Sequence, residues 1–280
     1  MIAWYLGPTN LPDVRYVQAT FFRRATTVSL GALVLIAVAG VLAGGLNTAA
    51  GGGTLVSYPA LLLAGLPPLS ANVSSAIGLI PGYVGGAAAY RSELAELRPS
   101  LRKYLPLGII GGLLGAALLL ITPPSAFENL APYLVLGGSL LFLGQPALSA
   151  RMAKGGRSAP SGHDLRALIG IAATSAYGSY FSAGVGVMYL AVLGLLTTVG
   201  LQHANALKNL LSVAAVGAGA LVYVWSDHVH WDAVAVLLVS SLVGGYLGGR
   251  VARRMSARAL RAVVGATGLI VGFGLLISSW

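Results

Sequence analysis

The sequence predicts an all-α polytopic membrane protein of about ten hydrophobic helical segments, set out as two five-segment inverted repeats with discontinuous or re-entrant helices in each half. Three observations predict it. The chain is 56% hydrophobic and only 9% charged, and its mean hydropathy of +0.83 is more than a water-soluble domain of this size carries without aggregating. Its apolar runs are about as long as a helix needs to cross a bilayer, roughly 20 residues. The second half also repeats the first.

The runs lie at 28–48, 50–66, 71–90, 104–122, 131–149, 166–181, 184–200, 205–225, 232–250 and 259–278. Two pairs are joined with almost no polar loop, at Asn47 to Gly53 and at Tyr180 to Gly186. Glycine at both joints suits either a tight hairpin or a helix broken at membrane depth. Residues 1–27 hold Trp4, Tyr5, Tyr16, Phe21 and Phe22 beside Arg15, Arg23 and Arg24. They lack a signal peptide's compact apolar core and read as an interfacial segment. The expected organisation is then 1–27 interfacial, 28–149 first membrane repeat, 150–165 linker and 166–280 second membrane repeat.

Sliding the chain by 133 positions (205 − 72) sets Gly45 on Gly178, Ala50-Gly51 on Ala183-Gly184, Gly53 on Gly186 and Ala71-Asn72 on Ala204-Asn205. The same shift carries Tyr90 to Tyr223, and Gly111, Gly112 and Gly115 to Gly244, Gly245 and Gly248. Five segments is an odd number, so the second half must enter the membrane in the opposite sense. Charge agrees: Arg91, Arg98, Arg102 and Lys103 fill one loop, while the matching stretch at 226–231 has no Lys or Arg. Arg151, Lys154, Arg157 and Arg166 mark the linker as cytoplasmic, and Arg250, Arg253, Arg254, Arg258 and Arg261 do the same before the last segment. Counting back puts the N-terminus outside, against the sense of Arg23 and Arg24.

A net charge of +10 in a soluble chain would point to nucleic acid, but these cations sit between apolar runs and set topology instead. The absence of cysteine excludes disulfides, thiolate metal sites and any relay of sulfur through a persulfide. A membrane enzyme would want His, Asp or Cys clustered at membrane depth, and the runs hold no such cluster. Asp227, His228, His230 and Asp232 have alternate spacing, which a short hydrophilic outer loop explains as well as a metal does. Gly51-Gly52-Gly53 lacks the Gly-Lys-Ser/Thr of a phosphate-binding loop. No cofactor and no metal are expected. The small-residue faces at Gly111-Gly115 and Gly244-Gly249 suit close helix packing within one chain, with a homodimer as the alternative use.

All seven acidic residues lie outside the apolar runs or at their edges, and apart from Arg166, Arg250 and Arg261 at the ends of their runs only Lys208 of the seventeen basic residues lies inside one. Facing lipid it would cost a few kcal/mol, so it should face a cavity or a partner, unless it snorkels from a helix end. Pro67 and Pro68 stop one helix, and Ser70 or Asn72 can cap the next. Unpaired amides at a helix N-terminus suit an oxyanion. If the tight pairs dip only part of the way, the N-termini beginning near Asn72 and Asn205 should meet, with Asn72, Ser74, Ser75 and Asn205 as donors and Lys208 as the charge. His203 adds a proton carrier or a donor, unless it is structural.

The order of these features resembles the sulfite exporter TauE/SafE family of membrane transporters. The likeness rests on Gly51-Gly52-Gly53, Pro59 and the apolar run to Gly65-Leu66-Pro67, then Ala71-Asn72-Val73-Ser74-Ser75. Gly184-Val185-Gly186 and Ala204-Asn205-Ala206-Leu207-Lys208-Asn209 echo them in the second half. The resemblance implies a multi-pass protein of the inner or plasma membrane that exports sulfite or a small organosulfonate such as sulfoacetate. Its expected partners are a small anionic solute and the lipid bilayer. The candidate substrate residues are Gly51, Gly52, Gly53, Asn72, Ser74, Ser75, Gly184, Gly186, His203, Asn205 and Lys208. Alternating access between the halves is the expected mechanism, with a channel, an uptake carrier, or a carrier of another solute or a metal ion as alternatives.

Overall fold

A computed structural model describes residues 29–49, 51–154, 165–197, 199–251 and 257–278. The segment expected at the interface, 1–27, and residues 155–164 of the linker lie outside them. The described residues form twelve helices: α1 Leu30–Ala49, α2 Thr54–Leu63, α3 Pro68–Gly78, α4 Ile80–Ala89, α5 Arg91–Glu96, α6 Arg98–Ile121, α7 Pro124–Lys154, α8 Leu165–Tyr180, α9 Val185–Leu196, α10 Leu201–Tyr223, α11 Trp231–Val251 and α12 Ala257–Ser278.

Apolar side chains cover the outside of the helices as well as filling the core, and polar ones are buried among them. On α6, Ile110, Leu114, Leu118 and Ile121 form an exposed stripe at helical spacing, as do Leu30, Val34, Val38 and Leu42 on α1. Meanwhile Ser57, Ser75, Ser175, Ser212 and Ser241 are buried. Water would invert that arrangement, whereas lipid stabilises it, because hydrocarbon solvates leucine and not a hydroxyl. Among the described residues four helices are long and apolar enough to cross a membrane: Leu30–Thr48, Arg98–Ile121, Pro124–Ala147 and Leu201–Tyr223.

Against the expectation of about ten segments with discontinuous or re-entrant helices, the structure gives three particulars. First, α2 and α9 have 10 and 12 residues, about 15–18 Å at 1.5 Å per residue against a hydrocarbon core of about 30 Å. Each is half a span. Second, the run 71–90 is two helices, because Pro81 in the first turn of α4 has no amide to donate back into α3 and its ring crowds the preceding turn. Third, the basic loop 91–103 is itself helical, as α5 and the first turn of α6.

Helix α10 is the axis of the fold. Its apolar window is 67% buried, against 33–39% for the other three long helices, and it packs on α4, α6, α8 and α9. Around it α1 runs along α11, α6 along α8, and α7 along α12. These approaches are close because glycine permits them. A Cβ on Gly112 would strike Ala215 of α10, and one on Gly244 would strike the Val41 carbonyl of α1. The glycine faces read from the sequence are therefore used at Gly111, Gly112, Gly115, Gly244 and Gly245 for packing within one chain.

Candidate functional site

The two glycine joints meet. Gly51 and Gly52 turn the chain sharply between α1 and α2 with φ of 71° and 141°, and Gly184 does so before α9 with φ of 76°; this is backbone that side chains disfavour. A Cβ on Gly51 would lie 2.9 Å from the Cα of Gly186, and one on Gly186 equally close to the Cα of Gly51. Asn47 holds the first joint: its Oδ1 accepts from the amides of Gly53 at 2.7 Å and Gly52 at 3.3 Å. The hydroxyls of Thr54 and Ser182 lie 2.7 Å apart and bridge the joints, and the Tyr83 phenol of α4 faces Thr54, Asn47 and Ser182. Tyr58 of α2 stands edge-on to Phe181, with ring centroids 5.4 Å apart.

Lys208 comes to this seam from α10. It is 1% exposed, and its stem passes Gly186 so closely that a Cβ there would be 3.3 Å from the lysine Cδ. Its Nζ has no hydrogen-bond partner among the described residues. Ser212, four residues on and so on the same face of α10, has a buried hydroxyl without a partner. Both amide atoms of Asn209, which sits against Gly86, and the Asn47 Nδ2 are in the same state. Tyr189 of α9 closes this side, bonded to the Ser175 hydroxyl at 2.8 Å. An unpaired buried ammonium costs several kcal/mol, which an anion or hydrogen-bond acceptors brought to it would offset. With the Asn47 oxygen already used, four of the groups named (Lys208, Ser212, Asn47 and, through its Nδ2, Asn209) offer hydrogen-bond donors.

Of the residues expected from the sequence, Gly51, Gly52, Gly53, Gly184, Gly186 and Lys208 are gathered here. Ser75 joins through Ser57, its hydroxyl 2.6 Å from that of Ser57, which in turn reaches the Gly53 carbonyl at 3.3 Å. Asn72 donates to the Tyr180 carbonyl at 2.8 Å at the edge of the second joint. The other three lie apart. Ser74 accepts from the amide of His230, beyond the C-terminal end of α10. His203, at its N-terminal end, pairs at 2.8 Å with the exposed Glu96 of α5, and Asn205 donates back to the Leu201 carbonyl.

The convergence of the α3 and α10 N-termini expected from the sequence is thus not met. Ser74 and Asn205 lie toward opposite ends of a 23-residue helix, about 34 Å long. Their amides cannot hold one anion together. Asn47, Thr54, Tyr83, Ser182, Asn209 and Ser212 were not singled out from the sequence, although each is a polar residue within or beside an apolar run. At the other loop, partial burial pushes the His230 imidazole below its usual range, opposed by Asp232. Among the described residues no three of His, Cys, Asp and Glu come together as metal ligands would.

Comparison with known proteins places this architecture. A family model described as sulfite exporter TauE/SafE matches residues 36–275. A probable membrane transporter protein, ORF9, of a Sinorhizobium species is 24% identical over 249 residues, covering 87% of this chain and 92% of that protein. The probable membrane transporter protein YfcA of Escherichia coli K12 is 24% identical over 250 residues, 89% of this chain and 90% of its own. A probable membrane transporter of Haemophilus influenzae is 24% identical over 238 residues, 85% and 91% of the two chains. No solved structure matches.

Proposed function

This chain belongs to the sulfite exporter TauE/SafE family, multi-pass transporters of the cell membrane and not enzymes, and from that premise we propose that it exports a small sulfur-containing anion, sulfite or an organosulfonate such as sulfoacetate. The observation that carries the reading is Lys208: a buried cation whose ammonium has no partner, set where two glycine joints touch. The anion takes the place of the missing partner. Lys208 supplies charge, while Ser212, Asn209 and the Asn47 amide supply hydrogen bonds to its oxygens.

Transport proceeds by alternating access between two inverted halves. Supporting this, α3 and α10 begin 133 residues apart, at Pro68 and Leu201, as do α6 and α11, at Arg98 and Trp231. The pairing of α1 with α11 has its counterpart in the pairing of α8 with α6. In such folds the substrate lies between the repeats on broken helices, which is the position of Gly51 and Gly186. The membrane potential supplies direction, since an interior-negative potential favours anion exit by about 2.3 kcal/mol per charge per 100 mV.

The test is efflux from proteoliposomes under a potassium-set potential. Saturable, potential-dependent efflux of sulfite or sulfoacetate is expected. Flux of neither anion would remove the sulfur-anion reading, and flux linear in concentration would replace the carrier with a channel.

A further inference from the structure

We infer that the site at Lys208 is matched to a single negative charge and selects monoanions over dianions of similar size; this rests on the anion-carrier reading above and adds charge selectivity to it. Among the described residues Lys208 is the only Lys, Arg, His, Asp or Glu that is buried. The described cations Arg91, Arg98, Arg102, Lys103 and Arg166 are all exposed, as is Glu128. Asn209 and Ser212 stand on α10 beside Lys208, and the joint that its stem passes carries Asn47, Thr54 and Ser182, with the Tyr83 phenol of α4 facing them. All are neutral donors or acceptors. They can bind oxygen atoms but cannot balance a second charge.

The consequence follows from burial. With one ammonium and one monoanion the occupied site is neutral and can be carried through a low-dielectric interior. A dianion leaves one uncompensated charge there, and an uncompensated buried charge is among the most destabilising things a protein can hold. Hydrogen bonds from Ser212 and Asn209 soften that cost without removing it. The same argument makes the site indifferent to an uncharged group beyond the anionic head, and within the substrates proposed above it favours hydrogensulfite over sulfoacetate, whose sulfonate and carboxylate are both ionised at neutral pH.

Methanesulfonate and sulfate make a size-matched probe, alike in their sulfur–oxygen head and differing by one charge. Purified protein in proteoliposomes should carry methanesulfonate about a hundredfold faster than sulfate at equal concentration, with sulfate a poor competitor. Ser212→Lys, which sets a second cation on the same face of α10, should raise the ratio of sulfate to methanesulfonate flux by about tenfold. Equal fluxes of the two anions in the wild-type protein would overturn the charge match while leaving the carrier reading standing. If neither these anions nor sulfite and sulfoacetate moved, the carrier reading itself would fall, and this inference with it. The wild-type comparison decides the matter even where Ser212→Lys does not fold.

Discussion

Helices α3 and α4 in the first half and α10 in the second occupy matching stretches of the chain, 133 residues apart, yet they are built differently. The first is broken after Gly78 and carries Ser75, satisfied by Ser57. The second runs unbroken from Leu201 to Tyr223 and carries Lys208, satisfied by nothing among the described residues. Counting by 133 sets Pro81 against Ala214 and Ser75 against Lys208. One substitution decides continuity and the other decides charge. The lesson is a division of labour: the first half satisfies its Ser75 from within through Ser57, and the second leaves a cation facing the seam.

Continuity offers the hardest way to break that comparison. Ala214→Pro should cost about 3 kcal/mol or more, because it removes an amide in the middle of α10 and drives the ring into the preceding turn. Pro81→Ala, where the chain is already broken, should change stability by about 1 kcal/mol or less. Thermal unfolding in detergent measures both, and equal responses would mean that α10 is no more continuous than α3 and α4. The seam comes next. Gly51→Ala places a side chain at positive φ and against Gly186, together about 2–6 kcal/mol. Gly65→Ala, at a φ of 89° with nothing within 4 Å of the new Cβ, carries the strain alone, about 1–3 kcal/mol. A Gly51 variant no less stable than the Gly65 variant would deny the close contact of the joints. The smallest effect is Ser75→Ala, about 1 kcal/mol for leaving Ser57 without its partner; a loss several times larger would show that Ser75 does more than satisfy Ser57.

Much of this was legible in the sequence, for reasons that can be located. Lys208 stood out because the other basic residues lie between the apolar runs or at their ends, and the joints stood out because glycines replaced the loops. The break at Pro81 was equally visible, yet it was absorbed into one apolar run, since hydropathy does not register a missing amide. Asn47 could not be assigned a task without the φ angles of Gly51 and Gly52, which direct two amides at its side chain. The pairing of His203 with Glu96 spans 107 residues and leaves no local signal. The failed convergence of Asn72 and Asn205 has a different origin: the repeat relates them by sequence, and a likeness in sequence does not by itself bring two helix starts to one place.

The central claim is that the second half's cation holds the transported anion, and flux through Lys208→Ala beside Ser75→Ala tests it most directly. Both variants would be reconstituted in proteoliposomes at matched amounts of folded protein, and efflux of sulfite and sulfoacetate followed. The account predicts a loss of about a hundredfold or more in Lys208→Ala, as for a charged hydrogen-bonding partner removed from a buried site, and of less than about tenfold in Ser75→Ala. Normal flux in Lys208→Ala, or equal losses in the two, would contradict it.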